Sequence, residues 1–154
     1  MGHSDFDFLH GSWVVRHRRL KQRLCGGDDW EEFAGTSTTR LVLGGFGNIE
    51  DNVLDFPDGA YKAIAVRSFD VSTGLWAIWW LDGRRAHGLD VPVVGSFENG
   101  IGTFMCDDQF EGAPIKVRFL WSQQSASRCF WQQAFSPDDG ATWETNWVME
   151  FSRA

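Results

Sequence analysis

The chain has 154 residues, enough for one domain with a sizeable core and too few for two. Its net charge of −7 disfavours non-specific contact with nucleic acid or an anionic membrane, and no apolar run nears the ~18 residues of a membrane-spanning helix. Nine Trp and thirteen Phe beside a single Tyr are more rings than a compact core of this length calls for, so an aromatic-lined cavity is expected as well.

In chain order, Met1-Gly2-His3-Ser4-Asp5 lacks the basic and apolar stretches of a secretory signal. The three cysteines, Cys25, Cys106 and Cys129, are odd in number and show no C-x-x-C spacing. Both observations point to reduced thiols in a cytoplasmic protein. Residues 4–10 read as a short helical turn with Ser4 as its N-cap. Turn signals then recur at short intervals: Gly26-Gly27-Asp28-Asp29, Gly44-Gly45, Pro57-Asp58-Gly59, Ser72-Thr73-Gly74, Asp82-Gly83, Asn99-Gly100, Glu111-Gly112 and Pro137-Asp138-Asp139-Gly140. The runs between them are rich in aromatic and β-branched residues. They predict ten antiparallel strands over 12–24, 30–43, 48–56, 60–69, 75–81, 93–98, 101–106, 115–123, 128–135 and 142–152. Asn99-Gly100 is the strongest hairpin signal, because both residues tolerate the positive φ of a type I′ turn.

Alternation supports the strands. Ile115, Val117, Phe119 and Trp121 share a face against Lys116, Arg118 and Ser122. Trp143, Trp147, Met149 and Phe151 oppose Thr142, Glu144, Asn146 and Glu150, the period of a sheet wet on one side. About ten such strands either close or split into a sandwich. Closure removes exposed edges and leaves more interior than side chains fill. The expected fold is all-β: a single up-and-down antiparallel barrel of about ten strands, with a short N-terminal helical turn.

Polar residues interrupt the ring-bearing faces. Trp13, Val15, His17 and Arg19 share one face of the first strand. Either that strand is solvated, with a bulge returning Arg19 to water, or His17 and Arg19 form the polar end of the cavity. On 30–43, Trp30, Glu32, Thr36, Thr38 and Arg40 oppose Glu31, Phe33, Leu41 and Leu43, and either face suits the interior. Asn48 and Asn52 share a face of 48–56 and read either as edge chemistry or as inward amides. Trp79 and Trp80 are adjacent and must point to opposite faces. The N-terminal segment or a second copy covers the outer one, and we favour a homodimer through that strand. Gln133 lies between Trp131 and Phe135. The basic run 16–23 splits across two faces and interleaves no rings, which argues against nucleic acid. No metal is expected, since no H-x-H, H-x-x-x-H or Cys/His cluster occurs. No cofactor is expected either: Gly45-Phe46-Gly47 is not a phosphate loop. No G-x-S-x-G nucleophile motif appears, which lowers an enzymatic reading without excluding it.

Gly11-Ser12-Trp13 resembles the G-x-W signature of lipocalin-like (calycin) barrels. That resemblance implies a Trp13 ring packed across the closed end, with Arg153 lying on it. The longer pattern is Phe6-Asp7-Phe8-Leu9-His10-Gly11-Ser12-Trp13, then Phe69-Asp70 with Thr73-Gly74-Leu75-Trp76, then the Trp-rich C-terminal hairpin. It resembles an uncharacterised bacterial family with a lipocalin-like fold, which carries no activity to transfer. Nitrobindin-like haem barrels open similarly but use a late histidine, and nothing follows His87 here, so haem is disfavoured. Ser136-Pro137-Asp138-Asp139-Gly140-Ala141-Thr142-Trp143 resembles the Asp box of sialidase propellers; a single copy implies a turn device.

Two functions are compatible with these residues. The first is binding of a small hydrophobic or aromatic molecule, a carboxylate included, without nucleic acid or membrane. Trp13, Trp30, Trp80, Trp121 and Trp147 would line the site, and His17, Arg19, Asn52 and Gln133 would orient the guest. The second is a cofactor-free enzyme (cyclase, isomerase, hydratase or hydrolase) in the same cavity. There His17 would be the general acid or base, oriented by Glu32 or Asp51.

Overall fold

A computed structural model describes residues 2–154. The ten strands are β1 (Gly11–Leu20), β2 (Trp30–Val42), β3 (Gly47–Asp55), β4 (Tyr61–Asp70), β5 (Leu75–Asp82), β6 (Val93–Glu98), β7 (Ile101–Phe110), β8 (Ala113–Ser125), β9 (Arg128–Ser136) and β10 (Glu144–Arg153). Each pairs antiparallel with its neighbours in the chain, and β10 returns to β1 to close the barrel. The architecture is the expected one, with shifted ends. β1 stops at Leu20 rather than continuing to 24, because the Lys21 N–H turns to the Asp29 carbonyl and Leu24 has a φ of 58°. β7 runs on to Phe110. At the hairpin signal, Asn99 and Gly100 have φ of 53° and 79°, as a type I′ turn requires.

The helical segment also differs from expectation. Two 3₁₀ turns form, Gly2–Ser4 and Asp7–Leu9. The second is entered through Phe6 without a side-chain cap, so Ser4 ends the first turn instead of capping the second. What fixes this segment is burial. The Phe6 ring lies 5.0 Å from Trp76, 4.9 Å from Phe97 and 5.5 Å from Phe104, with Leu9 fully buried beside it. Together they plug one end of the barrel. Trp13 donates its indole N–H to the Leu9 carbonyl at 2.9 Å. The Arg153 guanidinium carbon sits 3.8 Å from the Trp13 ring, while its nitrogens donate to the carbonyls of His10 and Phe8. One arginine therefore joins the end of β10, the start of β1 and the plug. Arg153→Ala should cost about 1–2 kcal/mol, from the lost ring contact and carbonyl bonds, read as a lower urea midpoint. An unchanged midpoint would show that the plug holds by packing alone.

The register settles which faces look inward. On β1 they are Trp13, Val15, His17 and Arg19; on β2, Phe33, Gly35, Ser37 and Thr39; on β3, Asn48, Glu50, Asn52 and Leu54. Gly35 is needed for space: a Cβ there would lie 2.5 Å from the Val53 carbonyl oxygen and 3.0 Å from His17 Nε2. On β5, Trp76, Ile78, Trp80 and Asp82 form the inner series, and Trp79 faces outward, half-buried. β10 carries an irregularity between Thr145 and Trp147 that leaves Asn146 as an extra residue, and one extra residue flips the side-chain alternation. Trp143, expected on the inner face with Trp147, packs instead against Arg118, 4.4 Å from its guanidinium carbon. The Asp-box segment is a closed turn. Ser136 Oγ donates to Asp138, whose carboxylate accepts from the Thr142 N–H and hydroxyl, and the Gly140 N–H donates to Ser136 Oγ.

One seam is short. β5 and β6 pair only at Trp76↔Gly95, Ala77↔Val94 and Ile78↔Val93. Beyond these, the Asp90 N–H reaches the Trp80 carbonyl at 3.0 Å.

Candidate functional site

The interior is divided. Its closed half is filled by the N-terminal plug and by a buried polar network. Arg67 of β4 is ion-paired through Nη2 with Glu50 of β3. It also donates through Nη1 to Asn48 Oδ1 at 2.7 Å, and the Ser37 hydroxyl donates to the other Glu50 oxygen at 2.8 Å. The guanidinium carbon lies 5.0 Å from both the Phe6 and the Trp121 rings. A charge pair this deep is tolerable only with good geometry and further hydrogen bonds, and the network supplies both.

Above it, at the open end, lies a cavity of about 310 Å³, within the usual range for a small-molecule site. Trp80, Phe119, Trp131 and Trp147 form its aromatic base, with Phe110, Phe135 and Gln133 around them. The indoles stand edge-on: the Trp147 ring is 5.7 Å from Trp80 and 5.2 Å from Trp131, both near perpendicular. This is the favoured geometry for aromatic pairs.

Charge is distributed by strand order. On the β1 side, Arg19 donates to the Tyr61 hydroxyl at 3.0 Å and approaches Glu31 at 3.7 Å. Its guanidinium carbon lies 5.2, 4.7 and 4.9 Å from the rings of Phe33, Phe56 and Trp147. Three rings and a hydroxyl fix the fork. Arg23 also lines the cavity; burial, then the nearby Arg19 charge, lowers its pKa. On the opposite side stand Asp82, Asp90 and Asp108. Burial pushes Asp82 up, but hydrogen bonds from the Arg84 side chain and backbone outweigh it and hold the carboxyl low. Asp90 is raised by desolvation, against the pull of Arg85 and reinforced by Asp108 and Asp82. Arg84 lies over the Tyr61 ring at 3.5 Å, so the two sides meet through that phenol.

The cavity brings together Arg19, Trp80, Gln133 and Trp147 of the residues expected from sequence. Gln133 donates its amide to Asn146 Oδ1 at 2.9 Å. Four others are elsewhere. Trp13 packs in the closed end against Leu9 and Phe151. Trp121 lies below the aromatic base, beside Arg67. Asn52 is buried in the β3 wall, away from the cavity. Trp30 is on the outer face of β2, where Arg18 covers its ring at 4.8 Å; the inner series on that strand is the one containing Phe33.

His17 faces inward but sits behind Trp147. It is 2% exposed, stacks on Phe33 at 4.5 Å and accepts the Trp147 indole N–H on Nδ1 at 3.1 Å. An indole is only a donor, so the imidazole carries its proton on Nε2. Burial, then the Arg19 charge, lowers its pKa to about 3. Glu32 and Asp51, expected to orient it, are exposed on the outer face. Through this bond the imidazole positions Trp147.

Tyr61, Asp82, Asp90, Asp108, Phe119 and Trp131 also line the cavity and were not among the site residues expected from the sequence. For Phe119 and Trp131 the signal was there: each shares a face with a residue already assigned inward, Trp121 and Gln133. Among the described residues, no group of three or more His, Cys, Asp or Glu is placed to hold a metal ion, and no helix is long and apolar enough to cross a membrane.

No protein-family model matches the chain, and no curated protein does. Among solved structures it is similar to EF1p2_mFAP2b bound to DFHBI, over 100% of both chains, with 10% sequence identity and a TM-score of 0.50. At that identity the likeness speaks to the fold alone.

Proposed function

We propose that the protein binds a small, flat aromatic molecule at the barrel mouth, with an anionic edge, such as a carboxylate, toward Arg19 and hydrogen-bond donors toward Asp90 and Asp108. The observation that carries this is the pairing of an indole-based cavity of about 310 Å³ with a guanidinium already locked by Tyr61 and three rings. A fork held before the guest arrives loses little freedom on binding, and the planar guanidinium matches a planar anion. That a barrel of similar fold was solved with DFHBI bound supports the reading. Homodimerisation through the outward Trp79 stays part of it, checked by sedimentation at micromolar concentration.

Titration with 1-naphthoate, followed by quenching of tryptophan emission, tests the site. Arg19→Met should weaken binding by about 2 kcal/mol, roughly 30-fold, while Trp30→Ala leaves it unchanged. No saturable binding of 1-naphthoate, 2-naphthol or indole-3-carboxylate would sink the reading.

A further inference from the structure

Directly beneath the base of the mouth cavity is a second, much smaller void of about 20 Å³, and Trp80, Phe119 and Trp131 line both. Its far wall contains Arg67 and Trp121. Both side chains are almost wholly buried, at 1% and 3% exposure. Each also has one donor without a partner, Arg67 Nε–H and Trp121 Nε1–H. The two terminal nitrogens of Arg67 each have a partner, Asn48 for Nη1 and Glu50 for Nη2. The two residues that carry orphaned donors therefore line the same space, with the guanidinium carbon 5.0 Å from the Trp121 ring.

Size and charge restrict what this space accepts. A void needs roughly 10–15 Å³ to admit one water-sized group, so it takes a single heavy atom and little more. Glu50 lines the void and neutralises Arg67; an anion there would face a carboxylate with no free positive charge to offset it. Buried donors nevertheless require acceptors. We propose that this inner chamber is a binding site for one uncharged oxygen acceptor, held jointly by Arg67 Nε–H and Trp121 Nε1–H. A water molecule supplies that oxygen, or the carbonyl of a guest reaching past the Trp80 ring does. The second source rests on the mouth cavity being the ligand site; the first does not.

A crystal structure of the full chain, alone and soaked in bromide, tests the site. The expected result is density for one light atom at hydrogen-bond distance from both donors, with no anomalous bromide signal. A co-crystal with 2-acetylnaphthalene distinguishes the sources: either the separate atom persists beneath the probe, or the probe's carbonyl oxygen replaces it. In solution, the Trp121 indole proton should show a cross-peak to long-lived water or to the probe. Bromide in the chamber overturns the proposal, as does a dry chamber with both donors turned to protein acceptors. If 2-acetylnaphthalene and 1-naphthoate both fail to bind while the bridging atom is present, the mouth reading falls and the inner site stands. Binding at the mouth with a dry chamber gives the reverse.

Discussion

Glu50→Leu should lower the folding stability by about 3–5 kcal/mol, the usual cost of stranding one member of a buried ion pair. Glu50 and Arg67 are each about 2% exposed at the side chain, so water cannot replace the lost partner. The Ser37 hydroxyl loses its acceptor in the same stroke. The double variant E50L/R67M removes both charges and should recover most of the loss, because apolar replacements of buried pairs are often neutral or stabilising. Recovery will be incomplete, since Ser37 and Asn48 still face the vacated positions. Urea unfolding of the single and double variants measures both effects. A single-variant loss below about 1 kcal/mol would place the pair in the class of solvent-screened surface bridges and contradict the burial.

The second large effect is a pH dependence. The His17 pKa falls from its ordinary 6.5 to about 3 in the folded protein. Its contribution to stability is therefore complete above pH 6.5, where both states leave it neutral. As pH falls from 6.5 toward 3 the unfolded chain takes up a proton that the fold refuses. Stability then declines by about 1.4 kcal/mol per pH unit, on the order of 5 kcal/mol in all. Asp82 and Asp138 are lowered by hydrogen bonds and add their own losses at more acid pH, so the comparison must be differential. His17→Gln keeps an acceptor for the Trp147 indole and removes the titration. Its stability profile should run flatter than the parent's between pH 6 and pH 4, as urea unfolding across that range will show. Parallel profiles would mean that the imidazole protonates freely in the fold, and would return it to consideration as an acid or base.

Ten strands were legible because turn chemistry and period-two alternation are local properties, and a ten-stranded antiparallel sheet has few ways to hide its edges. Arg153 over Trp13 followed from the G-x-W resemblance, and the geometry matches it. The site was legible only where a strand has one plainly apolar face. On β1, Trp13 and Val15 share a face with His17 and Arg19, which left a solvated strand as the other reading until the burial of both decided it. On β2 both faces are mixed, and Trp30 is a large ring on the outer one, its apolar surface covered by Arg18. Depth along the barrel is a different matter from face. Trp13, Trp121 and Trp147 all point inward, but how high each lies depends on the stagger between strands and on how far the Phe6 plug fills the tube. Neither leaves a mark in the local pattern. The Asn146 bulge likewise moved Trp143 to the other face without any glycine or proline to announce it. Glu50 shares parity with Asn48 and Asn52 and was open to the same inference. Its partner Arg67 sits among Ala63, Ala65, Ile64 and Val66, where neither face declares itself.

The short β5–β6 seam makes the hoop of hydrogen bonds uneven around its circumference. Most neighbouring strands are fastened along most of their length, whereas β6 joins β7 only over Val94–Glu98. Beside Trp80 the fastening ends at Ile78↔Val93, and above it a single bond from the Asp90 N–H crosses the gap. Parting that one bond would loosen the wall beside the indole base, whereas parting β4 from β5 or β7 from β8 means unzipping a ladder. On the proposed function the stretch 83–92 is then the threshold of the mouth cavity, which its residues Arg84, Arg85 and Asp90 line.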